Sequence, residues 1–181
     1  MIVSWYVQNP LLINGLKFDL RVYAAVTSID PLRVYIFKEG LARFATQKYE
    51  INKEDLNVFT HLTNFSVNKK NSIFKADDAS KGEGYKWSFE TLKSTLEELK
   101  IDWRPIFIDI EDIVVKTFLS IEQTLFAAQE SNMNFKNNCF ELFGFDILID
   151  SNFKPWLIEV NLAPSLECSS ALDFKIKSNL I

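Results

Sequence analysis

Two neighbouring segments near the start of the chain alternate between apolar and polar positions, which is the period of a half-buried strand. Residues 17–27 read Lys-Phe-Asp-Leu-Arg-Val-Tyr-Ala-Ala-Val-Thr, and residues 32–38 read Leu-Arg-Val-Tyr-Ile-Phe-Lys. Both are rich in β-branched and aromatic residues, and Asp30-Pro31 between them is typical of a turn. The pattern predicts two antiparallel strands joined by a short loop.

The same period places Lys17, Asp19 and Arg21 on one face of the first strand. Three charged side chains at this spacing are either solvated or line a polar cleft. Charged side chains are seldom buried in proteins. The sequence alone therefore favours a solvated face, and the cleft stays open as the alternative.

Helical signals follow in the middle of the chain, after a polar surface loop predicted from Asn68 to Gly84. Ser88 precedes Phe89-Glu90-Thr91 as a helix cap, and this helix is predicted to run to about Lys100. Pro105 opens a longer helix to about Gln129, with apolar residues at positions 106, 110, 113, 114, 117 and 118. Residues 132–138 are predicted to form a linker.

The most informative segment is a predicted hairpin made of residues 140–149 and 154–161. A four-residue turn at 150–153 would set Asp146 opposite Leu157 and Glu159 opposite Gly144, which makes Asp146 and Glu159 diagonal neighbours on one face with Asn161. A turn of three or five residues would move Asp146 to the other face. Gly144 would leave room for a ligand above the sheet.

Asp146, Glu159 and Asn161 offer two carboxylates and an amide, a set of oxygen donors that suits Mg²⁺. No His or Cys joins them, which disfavours zinc. The alternative is that these side chains are solvated on an exposed sheet face.

Composition adds limits to this picture. The 181 residues suit one domain, and a 48% hydrophobic content supplies a core. A net charge of −4 without a basic stripe argues against nucleic-acid binding, and no apolar run approaches the roughly 20 residues of a membrane span.

The predicted fold class is α+β, an antiparallel sheet flanked by helices. Strand-like and helix-like segments at the two ends favour a fragment of a longer protein.

Four motifs resemble, in order, those of the tubulin–tyrosine-ligase-like family. They are Asn14-Gly15-Leu16-Lys17-Phe18-Asp19-Leu20-Arg21-Val22-Tyr23, Phe37-Lys38-Glu39-Gly40-Leu41-Ala42-Arg43-Phe44, His61-Leu62-Thr63-Asn64-Phe65-Ser66-Val67-Asn68-Lys69, and residues 143–150 with 155–161 and Pro164-Ser165-Leu166. The resemblance covers nearly the whole chain. It implies that residues 1–181 are the C-terminal part of an ATP-grasp catalytic domain, without the N-terminal half and its glycine-rich segment.

The resemblance also implies a site that uses ATP and Mg²⁺. Asp146, Glu159 and Asn161 would hold the metal, and Lys17, Asp19, Thr63 and Asn64 would contact ATP. The segment Ser4-Trp5-Tyr6-Val7 stands in the place of the strand that binds adenine, with Ser4 where the family usually has Gln. Arg21 would stabilise the transferred phosphate, and Arg43, with Ser66 and Lys86, would bind the incoming amino acid.

The implied activity is ligation of L-glutamate to glutamate side chains of acidic tubulin tails through an acyl phosphate. Leu162 after Asn161, and the run from Ala171 to Lys177, resemble the polyglutamylases that start branches. The expected protein is a monomer of the cytoplasm and cytoskeleton, with the cilium or basal body as a further location. Two alternatives are a truncated, inactive paralogue that binds microtubules or a partner, and an ATP-grasp ligase with a small-molecule acceptor.

Overall fold

The structure is a computed structural model that describes residues 3–51, 57–72, 84–132 and 140–181. Within these ranges the strands are β1 (Leu12–Ile13), β2 (Leu16–Ile29), β3 (Leu32–Phe44), β4 (Lys86–Ser88), β5 (Glu141–Ile149) and β6 (Pro155–Leu162). The helices are α1 (Val58–His61), α2 (Phe65–Asn68), α3 (Phe89–Glu98), α4 (Trp103–Asn132) and α5 (Ala171–Leu180). The predicted loop from Asn68 to Gly84 and the linker at 132–138 lie largely outside the described residues.

The strands form one open antiparallel sheet in the order β4-β3-β2-β5-β6, and β1 pairs with β2 beside this path. Every strand pairing is antiparallel. Helices pack against the sheet, so the predicted α+β class with an antiparallel sheet flanked by helices is confirmed. The assignment to the ATP-grasp fold remains a prediction.

The predicted first hairpin is confirmed and is longer than the sequence pattern indicated, since β3 continues to Phe44. Gly40 makes this extension possible. A Cβ atom at Gly40 would lie 2.5 Å from the Arg21 carbonyl oxygen and 2.5 Å from Cζ of Phe89. Only a residue without a side chain lets β2, β3 and α3 approach so closely.

One face of the sheet carries the main core. Phe18, Leu20 and Val22 occupy alternate positions of β2 and are at most 1% exposed. They share a core with the apolar sides of α3 and α4, which supply Phe89, Leu92, Leu96, Ile106, Ile110, Val114 and Phe118. Full burial of each such side chain stabilises the fold by roughly 1.5–3 kcal/mol.

The start of α3 follows the predicted capping chemistry, whereas that of α4 differs from the prediction. The Ser88 side chain accepts a hydrogen bond from the backbone N–H of Thr91 and caps α3. α4 begins at Trp103, two residues before the predicted start, because Asp102 accepts a hydrogen bond from the backbone N–H of Arg104 (3.0 Å). Pro105 then lies in the first turn, where its missing N–H removes no helical hydrogen bond.

The opposite face of the sheet is also covered, which contradicts the predicted solvated face. Tyr23 and Leu41 pack there against Leu172 and Ile176 of α5. Lys17 and Asp19 on the same face are each only 8% exposed. The charged face therefore lines polar clefts between the sheet and the segments above it. No helix in the described ranges has the length and apolar character needed to cross a membrane.

Candidate functional site

Two arginines and two aspartates on neighbouring strands form a connected ionic network on this face. Arg21 pairs in register with Asp146, and Asp19 with Arg43. Arg21 donates through Nε to Oδ1 of Asp146 (2.5 Å) and through Nη2 to Oδ2 (3.0 Å). Arg43 donates through Nε to Oδ1 of Asp19 (2.8 Å), and its Nη2 contacts both Asp19 and Oδ2 of Asp146, the latter at 2.9 Å. Asp146 thus connects both arginines.

The charges in this network are stabilised in their ionised forms. Burial would raise the pKa of Asp146, but the hydrogen bond from Arg21 and the positive charges of Arg43 and Arg21 outweigh burial and hold it below its usual range. Burial would lower the pKa of Arg43, and Asp19 and Asp146 together raise it instead. Asp146 and Arg43 are therefore both held in their charged forms.

The hairpin of β5 and β6 brings Asp146 and Glu159 together, although its register differs from the prediction. The turn has five residues, because Ile149 pairs with Pro155. Such a turn alone would place Asp146 and Glu159 on opposite faces. A register shift between Asp146 and Ile147 restores the shared face, and Asp146 lies directly opposite Glu159 instead of diagonally.

The space above Gly144 is filled, which corrects the expectation of room for a ligand there. Gly144 pairs with Asn161, and a Cβ atom at this position would lie 2.9 Å from Cβ of Pro164 and 3.1 Å from Cδ of Arg21. The missing side chain instead makes room for Arg21, which crosses this point to reach Asp146.

An acidic cleft of about 180 Å³ lies on one side of the network. Three carboxylates line it, from Asp19, Asp146 and Glu159, together with Lys17, His61, Leu62, Thr63, Asn64, Leu148 and Ile158. The predicted ATP contacts Lys17, Asp19, Thr63 and Asn64 therefore converge on the predicted metal ligands Asp146 and Glu159. Asn161 joins them by donating a hydrogen bond from Nδ2 to Oε1 of Glu159 (3.3 Å).

Lys17 is held inside the acidic cleft by neutral acceptors. Its ammonium group donates to the backbone oxygen of His61 (2.9 Å) and to the hydroxyl of Tyr6 (3.2 Å). Burial lowers the pKa of Lys17, and the charge of Asp19 opposes part of this effect. Because its hydrogen-bond partners in the described part of the chain are neutral, the ammonium group can still pair with an anionic ligand.

A basic cleft of about 360 Å³ lies on the other side of the network. Its cationic side chains are Arg21, Arg43, Lys69, Lys86 and Lys177, and its other residues include Ser66, Glu167, Ser169 and Asp173. The predicted amino-acid contacts Arg43, Ser66 and Lys86 are thus brought together with Arg21. A larger cleft of about 620 Å³ runs along α3, and the charged residues that line it in the described part of the chain are Glu90 and Glu98.

The fork of Arg43 is used within the protein, which revises the predicted bidentate grip on a substrate carboxylate. Nε and Nη2 of Arg43 are bonded to Asp19 and Asp146. Among the described residues, none accepts a hydrogen bond from Nη1. Nε and Nη2 are therefore already occupied by carboxylates of the protein itself.

The segment at residues 3–7 forms no strand, so the predicted strand at Ser4-Trp5-Tyr6-Val7 is wrong as secondary structure. Ser4 is exposed and the side chain of Trp5 is fully exposed. Tyr6 contacts the acidic cleft, because its hydroxyl is hydrogen bonded to Nδ1 of His61 (2.8 Å) as well as to Lys17.

Asp173 is a residue of the basic cleft that the sequence reasoning did not identify. It is 1% exposed, and its carboxylate accepts hydrogen bonds from Nζ of Lys86 (2.9 and 3.1 Å) and from Oγ of Ser169 (2.6 Å). The available signal was Ser170 three residues before it, since Ser170 caps α5 by accepting from the N–H of Asp173. A cap places Asp173 in the first turn but does not reveal its contact with Lys86.

Comparison of the sequence with known proteins shows the family of the chain. The sequence profile described as the Tubulin-tyrosine ligase family matches residues 1–181. The chain belongs to the tubulin-tyrosine ligase family. Similar family members include human "Tubulin polyglutamylase TTLL5", 46% identical over 184 residues, and human "Tubulin monoglutamylase TTLL4", 45% identical over 183 residues. The Caenorhabditis elegans "Tubulin polyglutamylase ttll-5" is 43% identical over 185 residues.

All three matches to family members cover 100% of this chain. The chain spans 14% of the human polyglutamylase, 15% of the monoglutamylase and 25% of the nematode protein. The predicted family membership is confirmed, and the printed names of these relatives describe tubulin polyglutamylases and a tubulin monoglutamylase.

Proposed function

We propose that this chain carries part of the active site of an ATP-dependent ligase that joins L-glutamate to glutamate side chains of tubulin tails. The observation that carries the proposal is the pair of clefts of opposite charge, which share Asp146 and Arg43 in a member of the tubulin-tyrosine ligase family. One cleft suits a cation with a nucleotide, and the other suits the carboxylates of amino acid and acceptor.

The donors in the acidic cleft fit Mg²⁺. Asp146 and Glu159 lie directly opposite each other, so both carboxylates could contribute oxygens to one cation. Asn161 donates through Nδ2 to Gly144 and Glu159, and its amide oxygen accepts no hydrogen bond from the described residues. Mg²⁺ bound by these oxygens would neutralise negative charge on the phosphates of ATP.

Other side chains of the acidic cleft suit the nucleotide. Lys17 offers a buried ammonium group to a phosphate, and Asp19, Thr63 and Asn64 line the same space. Nε2 of His61 is buried without a hydrogen-bond partner in the described part of the chain. Since buried polar atoms are nearly always paired, this orphan atom is consistent with a polar ligand in the cleft.

The residues of the basic cleft suit the second half of the reaction. Transfer of the terminal phosphoryl group of ATP to the acceptor carboxylate gives an acyl phosphate, and the glutamate amine then attacks its carbonyl carbon and releases phosphate. Arg21, between the clefts, would stabilise the transferred phosphoryl group. Arg43, Ser66 and Lys86 would orient the incoming glutamate, and holding both reactants together would supply most of the positioning.

We further propose that the enzyme starts branches. The support is Leu162, the last residue of β6 and 68% exposed, and α5 with its buried Asp173 and Lys177 beside the basic cleft. An enzyme that elongates chains must accept an existing branch, whereas an initiating enzyme must accept an unmodified main-chain glutamate.

The test is transfer of labelled glutamate to tubulin in the presence of ATP and Mg²⁺. The wild-type protein should transfer label, and Asp146→Ala should abolish transfer. Asp112→Ala, on the exposed surface of α4, is the matched control and should retain it. Equal transfer by the Asp146 variant would refute the assigned site, and no transfer by the wild type would favour a binding module.

A second arm of the same assay addresses the type of branch. Tail peptides without a branch and peptides that already carry one glutamate would be offered separately. We expect label on the unbranched peptide. Label confined to the branched peptide would contradict branch initiation and leave the ligase assignment intact.

A further inference from the structure

The two clefts are connected by one carboxylate. Asp146 lines the acidic cleft, yet both of its oxygens are bonded to arginines that line the basic cleft. Arg43 is bonded to Asp19 as well, whereas Arg21 has no other carboxylate partner among the described residues. The charge that Arg21 and Arg43 present to the basic cleft therefore depends on Asp146.

We propose that Asp146 is a positioning residue that couples the two clefts, so that cation binding in one and carboxylate binding in the other reinforce each other. This inference rests on the proposed function. Without a cation, Asp146 offsets part of the positive charge of the two arginines and weakens their attraction for an anion. A cation at the Asp146 oxygens competes for that negative charge and leaves Arg21 and Arg43 more positive toward the basic cleft.

The geometry sets the direction of this coupling. The contacts between Asp146 and the arginines are 2.5, 2.9 and 3.0 Å, and the carboxylate is only 3% exposed, so water screens these interactions weakly. Glutamate should therefore bind more tightly after Mg²⁺ and nucleotide. Because coupling is reciprocal, Mg²⁺ with nucleotide should bind more tightly after glutamate.

The arrangement also gives the two carboxylates of the acidic cleft different roles. Glu159 bonds only to Asn161 among the described residues and has no arginine partner. It contributes to cation binding without reaching the basic cleft. Loss of Glu159 charge should weaken cation binding but leave the coupling intact, whereas loss of Asp146 charge should remove the coupling itself.

The experiment is calorimetric titration of the purified protein with L-glutamate, with and without Mg²⁺ and a non-hydrolysable ATP analogue. We expect the wild-type Kd for glutamate to fall about fivefold or more when Mg²⁺ and the analogue are present. The analogue with a chelator, and no free Mg²⁺, should produce a smaller change. The reverse titration should show the same factor.

Two variants distinguish the role of Asp146 from that of Glu159. Asp146→Asn, nearly isosteric, should bind glutamate without Mg²⁺ about as tightly as the wild type binds it with Mg²⁺, and should not respond further. Glu159→Gln, at saturating Mg²⁺ and analogue, should keep the wild-type coupling factor. Thermal unfolding of each variant would verify that it is folded.

The outcomes distinguish this proposal from the proposed function. A wild-type protein that binds glutamate with one Kd under all conditions would overturn the coupling and leave the ligase assignment standing. A protein that binds neither glutamate nor nucleotide would overturn both. An Asp146→Asn variant that keeps the wild-type response would show that the coupling does not pass through this carboxylate.

Discussion

The ion pair between Lys86 and Asp173 provides a sharp test of how burial determines the energetic role of a charge. The two side chains are 6% and 2% exposed, and the pair joins residues 87 positions apart. The Asp173→Ala substitution removes both carboxylate contacts of Lys86 and leaves its ammonium group buried. Breaking a buried pair from one side costs about 3–5 kcal/mol.

This magnitude is a large part of the total stability of a domain, which is about 5–15 kcal/mol. The ammonium group of Lys86 also lies 4.2 Å from the centroid of the Phe65 ring, and this cation–π contact offsets only a part of the loss. The double variant with Lys86→Met removes the uncompensated charge as well. It should therefore be destabilised by less than the sum of the single variants, with a coupling of about 2 kcal/mol.

Urea denaturation at neutral pH measures each free energy of unfolding. The exposed pair of Lys116 and Asp112 on α4 is the control, with side chains 72% and 53% exposed. Asp112→Ala should change stability by no more than about 0.5 kcal/mol. If Asp173→Ala cost as little as this control, or if the double variant were simply additive, the argument from burial would be refuted.

The dependence of the unfolding free energy on pH, measured in acid, is an independent check on the same ion pair. Burial would raise the pKa of Asp173, but hydrogen bonds from Ser169 and Lys86 outweigh it and lower the folded-state pKa. A carboxylate with a lowered folded-state pKa stabilises the protein above its unfolded pKa of about 3.9, and this stabilisation is lost as pH falls through the folded value. The difference between wild type and Asp173→Ala should be constant above about pH 5 and shrink below about pH 4.

Three further substitutions test separate parts of the structure. Gly144→Ala places a Cβ atom 2.9 Å from Pro164 and 3.1 Å from Arg21, and it should cost about 1–3 kcal/mol in thermal unfolding and reduce glutamate ligation. Wild-type ligation would contradict this account of Gly144. Arg43→Lys keeps the charge but loses the planar fork that bonds Asp19 and Asp146 between the two clefts, so it should raise KM for ATP as well as KM for glutamate in steady-state assays. Ser88→Ala removes the cap of α3 and should cost about 1 kcal/mol in urea denaturation without changing KM for glutamate.

Local patterns predicted the elements of this fold well because the period of apolar residues is a local property of the chain. The alternation at 17–27 and 32–38 became β2 and β3, and the spacing from Ile106 to Phe118 became the buried side of α4. Ser88 acts as a cap where its position before an apolar helix indicated one. Capping and periodicity depend on neighbours within one or two turns, so a sequence shows them directly.

The strand register of the last hairpin and the burial of the charged face of β2 could not be predicted from local patterns. The five-residue turn of the last hairpin would separate Asp146 from Glu159, and the register shift that reunites them depends on the pairing of whole strands. Lys17, Asp19 and Arg21 were correctly placed on one face, but their solvation was not. The burial of these side chains depends on α5 and α1, which lie far away in sequence and cover the face only after folding.

In the candidate site, too, the sequence predicts the residues and the tertiary structure determines their contacts. Residue types and family motifs are enough to predict Asp146, Arg21 and Arg43 as candidate site residues. Their mutual bonds, and the contact of Lys86 with Asp173, required tertiary packing, because ionic contacts join side chains from strands and helices that meet only in the folded chain. The chemical groups are a property of the sequence, whereas the partner that each charge finds is a property of the packed sheet.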